Sequence, residues 1–317
     1  MTSPREFLIS PSPHLWRGPS VSRIMYLVML ALVFPAGAAI YFFGFRAVAV
    51  LGVCTGAALL TEYLCKKMRG HAFVMDGSAV VTGLLLALTL PPTVPLWMAA
   101  VGAVFAIAIV KEAFGGLGHN IFNPALGARA FVSVSFSLPM TTWVKPTGFA
   151  VDVVTSATPL SGASVWPQFD PAAYQAMFLG NISGSLGETS ALAILIGGCL
   201  LLGLRVISWR IPATYIGVVA ILAFAFGQDP LFHILAGGLM LGAFFMATDY
   251  VTSPLTNRGK VMFGVSLGVL TMLIRHFGGM PEGVCYSILF MNAMTPLIDR
   301  YTRERPYGLV KRAKSAD

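Results

Sequence analysis

Three stretches of the sequence bring together side chains capable of chemistry. DVVTSATPLSG (residues 152–162) gathers the hydroxyls of Thr155, Ser156, Thr158 and Ser161 behind the carboxylate of Asp152. A threonine hydroxyl is a weak nucleophile that forms esters once it is reachable and activated. Pro159 biases Thr158 towards extended backbone, because proline pushes the residue before it out of the helical region. GGLGHNIFNPALGARAF (115–131) sets the amides of Asn120 and Asn123 among glycines, which let the backbone approach a neighbour closely, and it carries Arg129. FMATDYVTSP (245–254) holds Asp249, with Arg258 and Lys260 close behind. Each stretch also has a plain alternative: a solvated Ser/Thr/Gly loop, a tight chain reversal, and a helix cap or ion pair.

The elements that position these groups belong in a bilayer. With 317 residues, 56% of them hydrophobic, 11% charged and a mean hydropathy of +0.77, the chain cannot clothe a soluble surface with polar groups. Residues 1–23 carry Arg5, Arg17 and Arg23 but no short apolar core followed by a small-residue cleavage site, so the first hydrophobic run reads as a retained span. The net charge of +8 does not point to nucleic acid, because no basic patch interleaves aromatics to stack on bases. Cys54, Cys65, Cys199 and Cys285 stand singly, which offers neither a disulfide framework nor a cysteine metal site. Redox chemistry here requires an organic cofactor or a partner's metal.

Helices of about 20 apolar residues, or shorter ones shielded by protein, satisfy their own backbone in lipid. Ten such segments are predicted, at 24–43, 47–65, 78–90, 96–110, 124–138, 190–204, 212–226, 231–247, 261–277 and 283–298. Loops rich in Lys and Arg stay in the cytoplasm. An inside N-terminus collects nearly all the cations on one face, leaving only Arg46 and Lys145 outside, with Arg129 and Arg275 inside spans five and nine. The predicted fold is therefore an all-α polytopic membrane protein of ten transmembrane helices with both termini cytoplasmic. It divides into a cytoplasmic N-terminal segment (1–23), a first five-helix half (24–138), an outer loop (139–189), a second five-helix half (190–298) and a basic tail (299–317).

An odd number of spans per half inverts the second copy. Gly83-Leu-Leu-Leu-Ala87 in span three echoes Gly238-Leu-Met-Leu-Gly242 in span eight, the matching position at which inverted-repeat membrane proteins build midplane sites from broken helices. Arg129, about one and a half turns into span five, costs several kcal/mol if unpaired, so it should face a carboxylate, an anionic ligand or a wet cavity. Asp249 at the inner end of span eight, and Asp76 at the inner start of short span three, are candidates for an ion path, since carboxylates at membrane depth tend to mark such paths. Glu62 and Glu112 lie at the same inner level. No catalytic triad and no metal-ligand set is visible.

Asp152, Thr155, Ala157 and Thr158 resemble the Asp-Gly-x-(Ser/Thr)-x-Ala-Thr pattern read by flavin transferases, which join FMN to the last threonine through a phosphoester; Val153 stands where that pattern usually has glycine, which stiffens the loop. Taken in order, Ser12-Pro-His14, GGLGHNIFNPALGARAF, DVVTSAT, FMATDYVTSP with Gly259-Lys260, the Pro281-Glu-Gly283 turn and Asn292 to Asp299 ending TPLID resemble one family from first span to last. It is that of the D subunits of the Rnf electron-transport complex, relatives of the B subunits of the sodium-pumping NADH:quinone reductase.

The resemblance implies ten helices in two inverted halves, covalent FMN at Thr158 on the outer face of a prokaryotic inner membrane, and in some members a non-covalent riboflavin. Asn120, Asn123 and Arg129 are the candidates to meet polar edges of a flavin. It further implies electron transfer between ferredoxin and NAD coupled to Na+ or H+ movement. The partners it implies are a cytosolic iron-sulfur and flavin pair, two small membrane subunits, a second covalent-flavin subunit and a flavin transferase. Two other readings remain open on the residues alone: a passive channel or substrate transporter of inverted-repeat fold, and a scaffold for redox subunits that carries no electrons itself.

Overall fold

The computed structural model describes residues 20–70, 74–146, 148, 158, 160, 171–278 and 283–303. These form α1 Val21–Phe43, α2 Phe45–Met68, α3 Ser78–Thr89, α4 Leu96–Phe105 running on as a π-helical segment Ala106–Glu112, α5 Pro124–Ser135, α6 Ser137–Thr141 and α7 Pro171–Leu179. The second half comprises α8 Ala191–Gly203, α9 Arg210–Ala225, α10 Pro230–Leu235, α11 Leu239–Leu241 with a π-helical segment Gly242–Met246, α12 Asn257–Phe277 and α13 Val284–Thr302. Each predicted hydrophobic segment contains helix. Three of the helices, α1, α2 and α12, are long and apolar enough to cross a bilayer by length and composition.

Large apolar side chains cover the outside: Tyr41, Phe45, Val134, Leu138, Phe224 and Leu255 are each more than 70% exposed. Such exposure over a whole helical surface suits a hydrocarbon solvent and no aqueous one. The short α3 is the inverse case, buried along nearly its whole length, which is what makes a helix too short for the bilayer tolerable.

Small residues set the helix contacts, as expected where lipid supplies no hydrophobic drive between helices. A side chain at Gly83 of α3 would lie 2.7 Å from the Thr55 backbone of α2, and one at Gly197 of α8 would lie 2.5 Å from the Ala31 carbonyl of α1. Gly268 of α12 meets Val218 of α9 in the same way, at 2.7 Å.

The packing repeats. In the first half α2 packs on α3 and α4, α4 on α5, and α1 and α5 on α3; in the second half α9 packs on α10 and α12, α12 on α13, and α8 and α13 on α11 with its π segment. The halves join through α1 against α8 and α5 against α13, the first predicted segment on the sixth and the fifth on the tenth, which is compatible with a two-fold relation.

The eighth segment, predicted over 231–247 with the Gly238–Gly242 echo that marks a place for a broken helix, is broken: α10 stops at Leu235, Ala236 is extended and Gly237 turns at φ +71° before α11 begins. Gly237 supplies a left-handed conformation that an L-residue adopts only at a cost. Part of the 139–189 loop is built into the fold. It contributes α7, and Ile182 through Ser190 is buried throughout. There Leu186 and Gly187 donate their N–H groups to the Leu90 and Leu88 carbonyls at the end of α3, satisfying backbone that lipid would leave bare.

Candidate functional site

Charged residues meet at two levels. At the first, α2, the start of α3 and the π segment of α4 converge. Lys111, only 2% exposed, donates to Glu62 Oε1 at 2.6 Å and to Ser78 Oγ at 2.7 Å, and Lys66 reaches the same Glu62 oxygen at 3.3 Å. Asp76 Oδ1 accepts from the Ser78 backbone N–H at 2.9 Å and from its hydroxyl at 2.5 Å. Burial pushes the Asp76 carboxyl up, but the Ser78 hydroxyl and N–H and the Lys111 and Lys66 ammoniums outweigh it and hold the group below the usual carboxylate value. Glu112 is paired with Arg69, whose guanidinium also donates to the Glu112 carbonyl. Glu62, Asp76 and Glu112 thus share one level, as expected.

Between the halves, beside this cluster, lies a cavity of about 80 Å³ lined by Lys111, Ser78, Asn120, Asn123, Thr248 and Asp249 among apolar neighbours. Asp249 accepts from the Thr252 hydroxyl at 3.1 Å and from the N–H groups of Tyr250 and Val251, so it closes the turn after the broken segment. Burial nevertheless lifts its carboxyl above the usual value. Asn123 caps α5, its Oδ1 accepting from Ala125 and Leu126 while Nδ2 reaches across the halves to the Met246 carbonyl. Asn120 donates to the Phe122 carbonyl. The cavity admits water or a small cation, and it is smaller than the roughly 300 Å³ at which pockets for small organic ligands start.

The second level is deeper. Arg129 of α5 pairs with Glu188 of the buried loop at 3.6 Å and donates to the Thr89 carbonyl at 2.5 Å, at the end of α3. The carboxylate expected opposite Arg129 is therefore present. The sequence did not single out Glu188, because it stands alone in a Gly/Ser-rich stretch that reads as a solvated loop. Its signal was indirect, the need of Arg129 for a counter-ion. Glu188 also lies against the break in the eighth segment, where a side chain on Gly238 would come 2.9 Å from Glu188 Oε1. Arg275 of α12 plays the matching part in the second half, donating to the His233 and Ala236 carbonyls at the end of α10 at 2.7 and 3.1 Å. Guanidinium groups at both ends complement the negative carbonyl termini of the two half-helices.

Of the attachment motif, Asp152, Thr155 and Ala157 lie outside the described residues. Thr158 is described and is 8% exposed, so the hydroxyl expected to be open is covered in the folded chain. Leu160 packs with α7 and α10 in a small satellite core built on Met177, Ile182, Phe232 and Leu235.

An all-helical, multi-pass membrane chain, with a broken helix and buried ion pairs where two like-packed halves meet, has the architecture of a charge- or ion-handling membrane protein. The model of the NQR2, RnfD, RnfE family matches residues 8–308, and the chain belongs to that family. It is 48% identical to the D subunit of the proton-translocating ferredoxin:NAD(+) oxidoreductase complex of Clostridium ljungdahlii, over 95% of this chain and 96% of that protein. It is 46% identical to the D subunit of the Na(+)-translocating complex of Acetobacterium woodii, over 97% of each. Similarity extends to the D subunit of the ion-translocating oxidoreductase complex of Stutzerimonas stutzeri, at 40% over 93% of this chain and 94% of that protein.

Proposed function

We propose that this chain is the D-type membrane subunit of an ion-translocating ferredoxin:NAD oxidoreductase complex, and that it carries FMN on Thr158. The observation that carries the assignment is the full-length likeness to three such subunits, two of them above 45% identity. Their names divide between proton and sodium at almost equal identity. The coupling ion is therefore set by a few side chains and not by the fold.

In this reading the chain crosses a prokaryotic inner membrane ten times in two inverted halves, with both termini and the Lys111 cluster at the cytoplasmic level and the 139–189 loop outside. The repeated packing of the halves supports the inversion, and the one-sided distribution of Lys and Arg supports the orientation. Partners are the other subunits of the complex and the transferase that loads the flavin. FMN, when bound, supplies one-electron chemistry that no side chain of this protein offers.

The chain's own part is to bind, orient and couple. The Thr158 hydroxyl provides the phosphoester oxygen, and its cover in the folded chain means that the transferase acts on the segment before it seats or when it is drawn away. Asp76 and Asp249, on either side of the Lys111–Ser78 wall, are the carboxylates suited to hold or relay the ion.

The test is in-gel flavin fluorescence of the denatured subunit, wild type beside Thr158→Ala, produced with the transferase. A band that glows in the wild type, is absent in the variant and carries the mass of one FMN less water supports the assignment. No fluorescence in the wild type overturns the covalent flavin, and fluorescence retained in the variant moves it to another residue.

A further inference from the structure

Where α12 begins and α13 ends, the two helices are held together by their hydroxyls. Thr256 caps α12 by accepting from the Gly259 N–H at 2.9 Å, and its Oγ1 lies 2.7 Å from that of Thr302. Gly259 permits the approach, because a side chain there would come 2.8 Å from Thr256 Oγ1 and 3.0 Å from Thr302 Oγ1. Beside this contact opens a cleft of about 840 Å³, which shares no lining residue with the central cavity. Asn257, Arg258 and Met262 line it from α12, and Tyr301 and Arg303 line it from the end of α13.

The charge here is one-sided. Arg258 and Arg303 are exposed and, among the described residues, form no ion pair. Lys260 and Arg300 stand close to them in the chain. The nearby carboxylate, Asp299, accepts from the Leu255 N–H at 3.1 Å. In sequence, residues 304–317 add Arg305, Lys311, Arg312 and Lys314 against Glu304 and Asp317. The planar fork of a guanidinium matches the oxygens of a phosphate, and a charge-assisted bond of that kind is stronger than a neutral one.

Apolar surface runs on from the cleft. Met262 lines it, and Val265 and Val269 continue the same face of α12, all three exposed. On α13, exposed Leu297 lies one turn before Tyr301, which is 79% exposed at the end of an apolar helix, where tyrosine rings settle at the membrane interface. A small anion would fill neither the volume nor the apolar face, and a soluble acidic partner would leave that face bare. A molecule with an anionic head and a hydrocarbon tail matches both.

We infer that the cleft between the start of α12 and the end of α13 binds an anionic phospholipid, its phosphate on Arg258 and Arg303 and an acyl chain along Met262, Val265 and Val269. This rests on the membrane reading above, which puts these helix ends at the cytoplasmic level, where basic segments beside a span attract anionic lipid. Bound there, the headgroup ties the start of α12 to the end of α13, the helix that packs on α5 of the first half.

The experiment uses the whole complex in detergent with a phosphatidylglycerol that carries a photoreactive group on its acyl chain, and adducts are mapped on peptides by mass spectrometry. In the wild type, adducts should fall on residues 262–269 and be displaced by unlabelled phosphatidylglycerol, but not by phosphatidylcholine or inorganic phosphate. Arg258→Gln with Arg303→Gln should weaken that binding about thirtyfold, from about 1 kcal/mol for each cation. Lys67→Gln with Arg210→Gln removes two cations that do not line the cleft and should leave binding unchanged.

Equal binding by the cleft variant and the wild type overturns the site. So does an absence of adducts on the wild-type complex, which is what a partner subunit seated in the cleft would give. Displacement by phosphatidylcholine overturns recognition of the headgroup, and displacement by inorganic phosphate makes this a phosphate site and overturns the lipid. Orientation is read separately, by labelling Arg303→Cys with a membrane-impermeant maleimide. Labelling in inverted vesicles but not in intact cells supports the cytoplasmic placement. Labelling in intact cells overturns that placement, and the inner leaflet with it, while the displacement series still decides the headgroup site.

Discussion

Arg129 and Glu188 form one of the buried ion pairs of the molecule. Both are about 6% exposed, 3.6 Å apart, and backed by the Thr89 carbonyl. Taking two charges out of water costs more than their attraction returns unless the geometry is good, and removing one partner alone leaves a buried charge uncompensated. Arg129→Met should therefore destabilise by about 3–5 kcal/mol, and Arg129→Met with Glu188→Leu should recover most of that loss, both read as thermal midpoints of the purified complex in detergent. A double variant as unstable as the single one would mean that the pair matters through its bond to Thr89 and not through charge compensation. Arg129 was legible in the sequence as a cation inside an apolar span that must find a partner. Glu188 was not, because its neighbours Ser183, Gly184, Ser185 and Gly187 are the residues of a solvated loop, and only tertiary pairing of Leu186 and Gly187 with the end of α3 buries them. Asn123 was legible in another way: its place before Pro124 marks a helix cap, and its side chain caps α5.

At the scale of elements, the order and approximate bounds of the apolar helices followed from hydropathy, since lipid leaves the backbone few alternatives to helix. The interruptions did not follow as readily. The Gly238–Gly242 echo marked the eighth segment as a place for a broken helix but not where the break falls, which Leu160 and Glu188 of the 139–189 loop define by packing against the gap. The π segments Ala106–Glu112 and Gly242–Met246 have no sequence signature at all; each ends beside the central cavity, where it turns Lys111 or the residues ahead of Asp249 inwards. What the sequence does encode is where helices approach closely. A side chain at Gly83 would meet the α2 backbone at 2.7 Å, whereas Gly56 on α2 has open space. Gly83→Ala should cost about 1–3 kcal/mol through overpacking. Gly56→Ala should leave stability unchanged or raise it by about 0.5–1 kcal/mol through helix propensity. Thermal denaturation of the two variants side by side checks the α2–α3 register, and equal effects would show that Gly83 does not sit at the contact.

In the whole molecule, two like-packed halves enclose a small polar space. Asp249 enters that space from the second half, and Lys111 and Ser78 enter it from the first, with Asp76 behind them. The two carboxylates are tuned in opposite directions: Ser78 and the lysines hold Asp76 ionised, while burial lifts Asp249 towards its protonated form. Under the proposed function these two carboxylates are the candidates to hold or relay the ion, with the Lys111 ammonium and Ser78 between Asp76 and the cavity. If the chain carries a flavin as proposed, ion movement requires the two halves to have two arrangements that its redox state biases unequally, because a ligand shifts an equilibrium only by its differential affinity. Neutralising both carboxylates, Asp76→Asn with Asp249→Asn, should leave electron transfer from reduced ferredoxin to NAD running in sealed vesicles while the ions moved per electron fall. The proposed attachment site is untouched in that variant, so in-gel flavin fluorescence equal to wild type would separate lost coupling from lost assembly. An unchanged ratio of ions to electrons, with the variant fully loaded, would remove these carboxylates from the path and leave the cavity as a structural gap between the halves.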